Sequence, residues 1–402
     1  MLNVKKLLYN AAYHTAEIEK ILDKKNPAIL KFDPELGYLH RNHALRDGMD
    51  DIVTSGTYDL RNGNRKIVNY ADQPCRINTY GNSYTQCAQV SDGETWQEVL
   101  SAHFREPIRN FGVGGYGVYQ AYRRAMRVEA TDLAAEYIIL NIWDDDHIRN
   151  IEAARWPRVA WIVRDLPRGG VGRDAYPVHG FPWAHLRYDF AKGKFIELPG
   201  LCKKAEDLRK LTNRDYYYKT FKNDMVVNLF TMRSGGEVAA EHVAQLEKLA
   251  EAFGMKLNLR DPKKRTDDAR KLNLTYGMRS TMYLLDNFRR WAQKQNRKLL
   301  VLLSYDVPSV QNIIEKNERF DDEFLNYLKC KNVLFVDCLA KAAEDYRIHN
   351  LSLDNYLGQY YVGRAGAQVF GHYNPAGNFW FASAIRKELV DWLKPKPPAY
   401  SR

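Results

Sequence analysis

Tyr80-Gly81-Asn82-Ser83-Tyr84-Thr85 closes an apolar run, and Asn110-Phe111-Gly112-Val113-Gly114-Gly115-Tyr116-Gly117 follows it further along the chain. A serine on a tight, glycine-containing turn between a strand and a helix presents its hydroxyl at the carboxyl edge of the sheet, where α/β enzymes place chemistry. Ser83 is therefore a candidate nucleophile. Ester cleavage through a serine also needs a base for the hydroxyl proton, donors for the developing oxyanion and a cleft for the acyl group. Gly, Asn and Ser are common turn formers in their own right, so the argument rests on what comes after in order. That is the glycine cluster, then Tyr137-Ile138-Ile139-Leu140-Asn141-Ile142-Trp143-Asp144-Asp145-Asp146-His147, then Gly371-His372-Tyr373-Asn374-Pro375-Ala376-Gly377-Asn378.

Each of these loops follows a strand-like run or opens a helix, and together they resemble the SGNH (GDSL-type) hydrolases. The resemblance covers residues 76–150 and about 276–397. It implies a flavodoxin-like fold, with Ser83 as nucleophile and His372 as general base. It also implies an oxyanion hole formed by the backbone N–H groups of Ser83 and Gly115 and by a third donor from the block at Asp144 or Asp145. Tyr84, Asp145 and Asn374 would border the substrate. The chain departs from the family pattern at three places. Asn82 stands where the first block has aspartate, Asp144 where the third has asparagine, and Val369 where the last has the acid three residues before the histidine.

The carboxyl group at position 144 poses a chemical question. An ionised carboxylate only accepts hydrogen bonds and repels an oxyanion, whereas a protonated acid donates. Burial and neighbouring carboxylates raise a carboxyl pKa, and three consecutive aspartates make that relevant. The same cluster offers oxygen ligands of the kind calcium and magnesium prefer. Consecutive residues of an extended segment point to opposite faces, so no metal site is expected, and no cofactor.

The elements that must hold these loops read as strand, loop and helix in alternation. Strands are expected at 76–80, 107–110, 136–143, 298–305 and 332–337, with helices at 96–104, 119–129 and 278–295. Alternation of this kind means right-handed crossovers and a parallel sheet covered on both faces, a three-layer α/β/α sandwich. Residues 1–75 are expected to be an extension, with one amphipathic helix over 3–24 and short strands over 50–70. Residues 151–275 interrupt the alternation and are too long for a structureless loop, so they are read as a cap or subdomain for the substrate. Trp183 and Tyr217 in that segment are candidates for setting substrate preference.

The composition, 45% hydrophobic and 27% charged, is that of a globular protein, and no apolar stretch approaches the length of a bilayer span. The first ten residues lack a secretory leader's apolar core, which predicts a cytoplasmic location. The five cysteines are odd in number and lack metal-type spacing. A net charge of +11 favours anionic partners, but the basic pairs are scattered among acids without a nucleic-acid motif, so specific nucleic-acid binding is not expected.

The expected activity is a serine esterase that removes an acyl group, acetyl in the first instance, from a small-molecule or saccharide ester. The alternatives are an SGNH-like binding protein with an impaired site, and an acyltransferase or re-tuned reaction through the same Ser83 and His372. The sequence is silent on oligomeric state.

Overall fold

Five parallel strands form the central sheet: β1 Ile77–Tyr80, β2 Arg109–Asn110, β3 Tyr137–Trp143, β4 Lys298–Ser304 and β5 Phe335–Asp337. The computed structural model describes residues 2–25, 30–46, 53–59, 62–163, 179–362 and 371–394. The strand order is β5-β4-β3-β1-β2. Every residue of β3 is buried, as a strand with helices on both faces must be. β3 and β4 run in step from Tyr137 opposite Lys298 to Trp143 opposite Ser304.

From β1 the chain moves outward to β2, then returns past β1 to β3 and continues to β4 and β5. The direction of winding therefore reverses between β1 and β3, the point in open α/β sheets beyond whose strand ends ligands usually bind. Right-handed crossovers then place the helices on either side of that reversal on opposite faces. On one face the helix Trp96–Phe104 meets Pro375–Leu393, with Trp96 edge-on to Phe381. On the other, Tyr122 of Val118–Val128 meets Phe288, and Tyr327 Oη donates to Asp286. The protein is thus an α/β protein with a parallel sheet between helices, as the alternation predicts.

The chain divides into two compact units, residues 1–39 with 147–283, and residues 40–146 with 284–402. This differs from the expected extension over 1–75. Its first part joins the segment read as an insertion, because Tyr13 stacks on Trp156 and lies edge-on to Tyr217. Its second part belongs to the sheet unit, where Arg65 N–H donates to Asn110 O and continues the pairing at the β2 edge. The helix expected over 3–24 is two helices, Val4–Asn10 and Thr15–Leu22. Glu17 reaches back to accept from His14 N–H at 2.9 Å, which caps a new start. Trp183 and Tyr217 are 2% and 1% exposed. They are packed into the core of the first unit: Gly37 (φ +87°) leaves its ring-side space to Trp183, and Tyr217 packs on Phe221. Packing accounts for these aromatics.

Candidate active site

The turn that carries Ser83 is built from the backbone outward. Gly81 has φ +155°, and a Cβ there would lie 2.6 Å from Asn141 O and 2.3 Å from Thr85 Oγ1, so glycine is required. Asn82 Oδ1 accepts from Tyr84 N–H at 2.7 Å. Its amide donates to the Asp146 carboxylate, which also accepts from Trp143 N–H. Asparagine suits position 82 because it must accept on one side and donate on the other. An aspartate there would set two carboxylates against each other.

Ser83 opens a one-turn helix, Ser83–Gln86. So short a helix leaves its carbonyls without helical partners, and the rest of the unit supplies them. Cys87 N–H takes Ser83 O, and Trp96 Nε1 takes Tyr84 O. Thr85 O accepts from Asn110 Nδ2 and Gln97 Nε2. Arg65 Nη1 reaches Gln86 O at 2.7 Å. Ser83 is held with its residue 8% exposed.

The glycine loop lies directly against this helix. A Cβ on Gly112 would sit 2.3 Å from Gln86 N and 2.5 Å from Thr85 C, both backbone. Gly114 N–H donates to Gln86 Oε1 at 2.7 Å, and a Cβ on Gly114 would lie 3.7 Å from Ser83 Cβ. Gly115 follows with φ +82°. Because backbone cannot retreat as a flexible side chain can, Gly112→Ala is expected to cost about 1–3 kcal/mol by overpacking. It should also displace the loop from Ser83, so that a lower denaturant midpoint and lost turnover appear together. A fully stable, fully active variant would refute this account of the contact.

His372 comes from the far end of the unit. Its Nε2 is 2.7 Å from Ser83 Oγ. Val362 N–H donates to His372 O, and Tyr84 Oη donates to Gly371 O at 2.7 Å. The Tyr84 ring lies 5.2 Å from the imidazole. Tyr84 is 2% exposed and burial pushes its phenol pKa well up, so it frames the histidine as a neutral donor. Asn374 caps the helix Pro375–Leu393, accepting from Gly377 N–H and donating to Gln359 O. Both residues were expected to border the substrate, and the polar groups of both are engaged in the framework. Val369 lies outside the described residues.

Asp144 and Asp145 follow β3, and both are only partly exposed. Ser309 Oγ donates to Asp144 Oδ2. Burial, and then the Asp306 carboxyl, raise the Asp144 pKa well above the usual aspartate range. Burial raises Asp306 as well.

Sequence reasoning missed four residues that serve this site. Asp146 anchors the turn through Asn82. Ser309 joins Asp144 and Asp306, its Oγ donating to the first and its N–H to the second, and Arg65 closes the Ser83 helix. Asp306 carried a readable signal, an acid directly before Val307-Pro308 at the start of a helix. Adding the β3–β4 register would have placed it beside Asp144. Arg65 had no local signal, because its partners come from across a folded loop. Among the described residues, no group of three or more His, Cys, Asp or Glu could hold a metal ion, and no helix is long and apolar enough to cross a membrane. No protein-family model matches the chain, and no curated protein matches it in sequence.

Proposed function

We propose that the chain is a serine esterase of the SGNH (GDSL-type) kind, acting on a small polar ester, in the first instance an acetylated saccharide. The observation that carries this reading is the 2.7 Å contact between Ser83 Oγ and His372 Nε2, formed just past the carboxyl end of β1, where the strand order reverses. In this mechanism His372 takes the Ser83 proton as Oγ attacks the ester carbonyl. The oxyanion is received by the N–H groups of Ser83 and Gly115 and by the Asp144 acid, and His372 returns the proton to the leaving alcohol. Water then enters by the same base and releases the acyl group. The saccharide is supported by the family resemblance. An anionic group on it would suit the net charge of +11.

The test is covalent labelling with a fluorophosphonate, followed by a panel of acetyl and longer-chain esters. Labelling confined to Ser83, with turnover of the short esters, is expected. A folded protein that neither labels nor turns over any ester would overturn the reading.

A further inference from the structure

We propose that a pocket beyond the ends of β4 and β5 is a distal sugar subsite, which takes a neutral ring further along a glycan than the ring that carries the acetyl group. Its role in ester turnover rests on the esterase reading. Its affinity for an unacetylated glycan does not.

The pocket has a volume of about 160 Å³ and is lined by Ser309, Asn312, Glu318, Arg319, Phe320 and Leu339. That is below the roughly 300–1,000 Å³ of a pocket for a drug-sized ligand, so it admits a single ring. Ser309 and Asn312 lie three positions apart on the helix Val307–Lys316 and share one face of it. Ser309 also belongs to the candidate site, since its Oγ donates to Asp144 Oδ2. Pocket and site therefore share a wall.

The strand order sets the distance between them. Ser83 follows β1, and β4 and β5 lie two and three strands away from it in the sheet. At about 4.8 Å per strand, the pocket stands roughly 10–14 Å along the sheet edge from Ser83. Only a few single bonds, each of roughly 1.5 Å, separate an acetyl carbon from its own sugar ring. That ring stays near Ser83, and it is a following ring that reaches the pocket.

The lining suits a ring edged with hydroxyls. Arg319 is held in place, its Nε donating to Asp321 Oδ1 at 2.9 Å, its Nη1 to Asp337 Oδ2 at 2.7 Å and its Nη2 to Tyr305 Oη at 2.9 Å. Asp321 is itself 2% exposed. A guanidinium carries five N–H groups, and among the described residues the second N–H of Nη1 has no acceptor. Asn312 Oδ1 accepts from Lys316 Nζ, which leaves the amide N–H groups for a ligand. Glu318 adds an acceptor, and Phe320, half-buried and edge-on to Tyr305, adds an aromatic surface. Charge argues against an anionic ring. Two cations, Arg319 and Lys316, meet three carboxylates, those of Asp321, Asp337 and Glu318, so a sugar acid finds no net attraction there. An anionic group that answers the chain's positive charge belongs elsewhere on the substrate.

The test uses singly acetylated methyl glycosides one, two and three glucose residues long, with the acetyl group on a terminal residue. For the wild type, KM should fall about tenfold from the shortest ester to the longest with kcat little changed, the scale of one or two net hydrogen bonds and a ring contact. In Phe320→Ala and in Asn312→Ala the longer esters should lose that advantage, their KM rising to the one-residue value at unchanged kcat. Phe320→Tyr keeps a ring and should keep the advantage. A merely structural role would instead lower kcat or stability for all three esters alike. Binding of the unacetylated three-residue glycoside to Ser83→Ala is followed alongside by saturation-transfer NMR, with and without Phe320→Ala. Turnover with one KM at all lengths, or a length advantage untouched in both alanine variants, would overturn the subsite. No turnover of any ester, with the unacetylated glycoside still bound through Phe320, would leave the glycan site in place and remove the esterase reading instead. Absence of both turnover and binding would overturn the two together.

Discussion

Ser83→Ala is expected to lower ester turnover by about 10⁴-fold or more and to abolish fluorophosphonate labelling. The stability change should stay within about 1.5 kcal/mol, the net worth of the one hydrogen bond lost to His372. The fold does not depend on the hydroxyl, since the turn is fixed by Gly81, by the Asn82 bonds and by the capped carbonyls of the helix behind it. His372→Ala should fall by a similar factor, and the double variant should be no slower than either single one. Serine and base act as a unit, so removing the second member of a broken pair removes little more. A folded Ser83→Ala protein with undiminished turnover would take Ser83 out of the mechanism, and a multiplicative double variant would show that the two residues act separately.

Arg65→Ala is expected to produce the largest loss of stability, about 3–5 kcal/mol, the scale for removing one partner of a buried ion pair. Arg65 is 2% exposed. Its guanidinium pairs with Asp92 at 2.8 Å and also donates to the carbonyls of Gln86, Cys87, Val90 and Ser55. Without it those acceptors are left bare in the interior, and two of them, on Gln86 and Cys87, sit at the end of the Ser83 helix. Turnover should therefore fall with stability, even though Arg65 is not itself a contact of the Ser83 hydroxyl. Arg65→Lys should recover only part of both, because a single ammonium cannot fork towards Asp92 and the carbonyls together. Urea unfolding of the three proteins decides the matter. A midpoint for Arg65→Ala close to wild type would mean that water replaces the guanidinium without penalty.

The sheet was legible because its signal is local. Tyr137–Trp143 and Lys298–Ser304 are apolar runs too short for helices and flanked by loops, and both fall within a residue of the expected spans. The helix Trp96–Phe104 falls on its expected span, and the structure adds Thr95, whose side chain accepts from Glu98 N–H, as its cap. The helix expected at 278–295 starts instead at Arg265, where polar residues weaken the apolar period. What could not be read is what depends on pairing across loops. Asn110 looked like part of a glycine motif, but its amide spans to Thr85 and its oxygen holds Gly112 N–H. The role of Asp146 was hidden by two identical neighbours, since sequence alone does not say which of three aspartates turns inward. The aromatics of residues 179–221 were ambiguous for another reason. Tyrosine and tryptophan suit both a cleft and a core, and burial is decided by neighbours that lie far away in sequence.

Ser83 and His372 are 289 positions apart, and the histidine loop is fastened by tethers that do not form until that distance is closed. Tyr84 Oη must find Gly371 O, and Tyr361 must pair with Tyr373. Contacts of such long range are among the slowest to form, because the chain must first meet the entropy of closing the loop between them. The Ser83 turn can assemble early, from neighbours between Arg65 and Asp146, yet it stays without His372 until the closing contacts arrive. A chain still emerging from the ribosome would thus carry an exposed but inert serine, and the first molecule able to accept a phosphonate would be one that had finished folding. The appearance of labelling during refolding therefore times the completion of the unit.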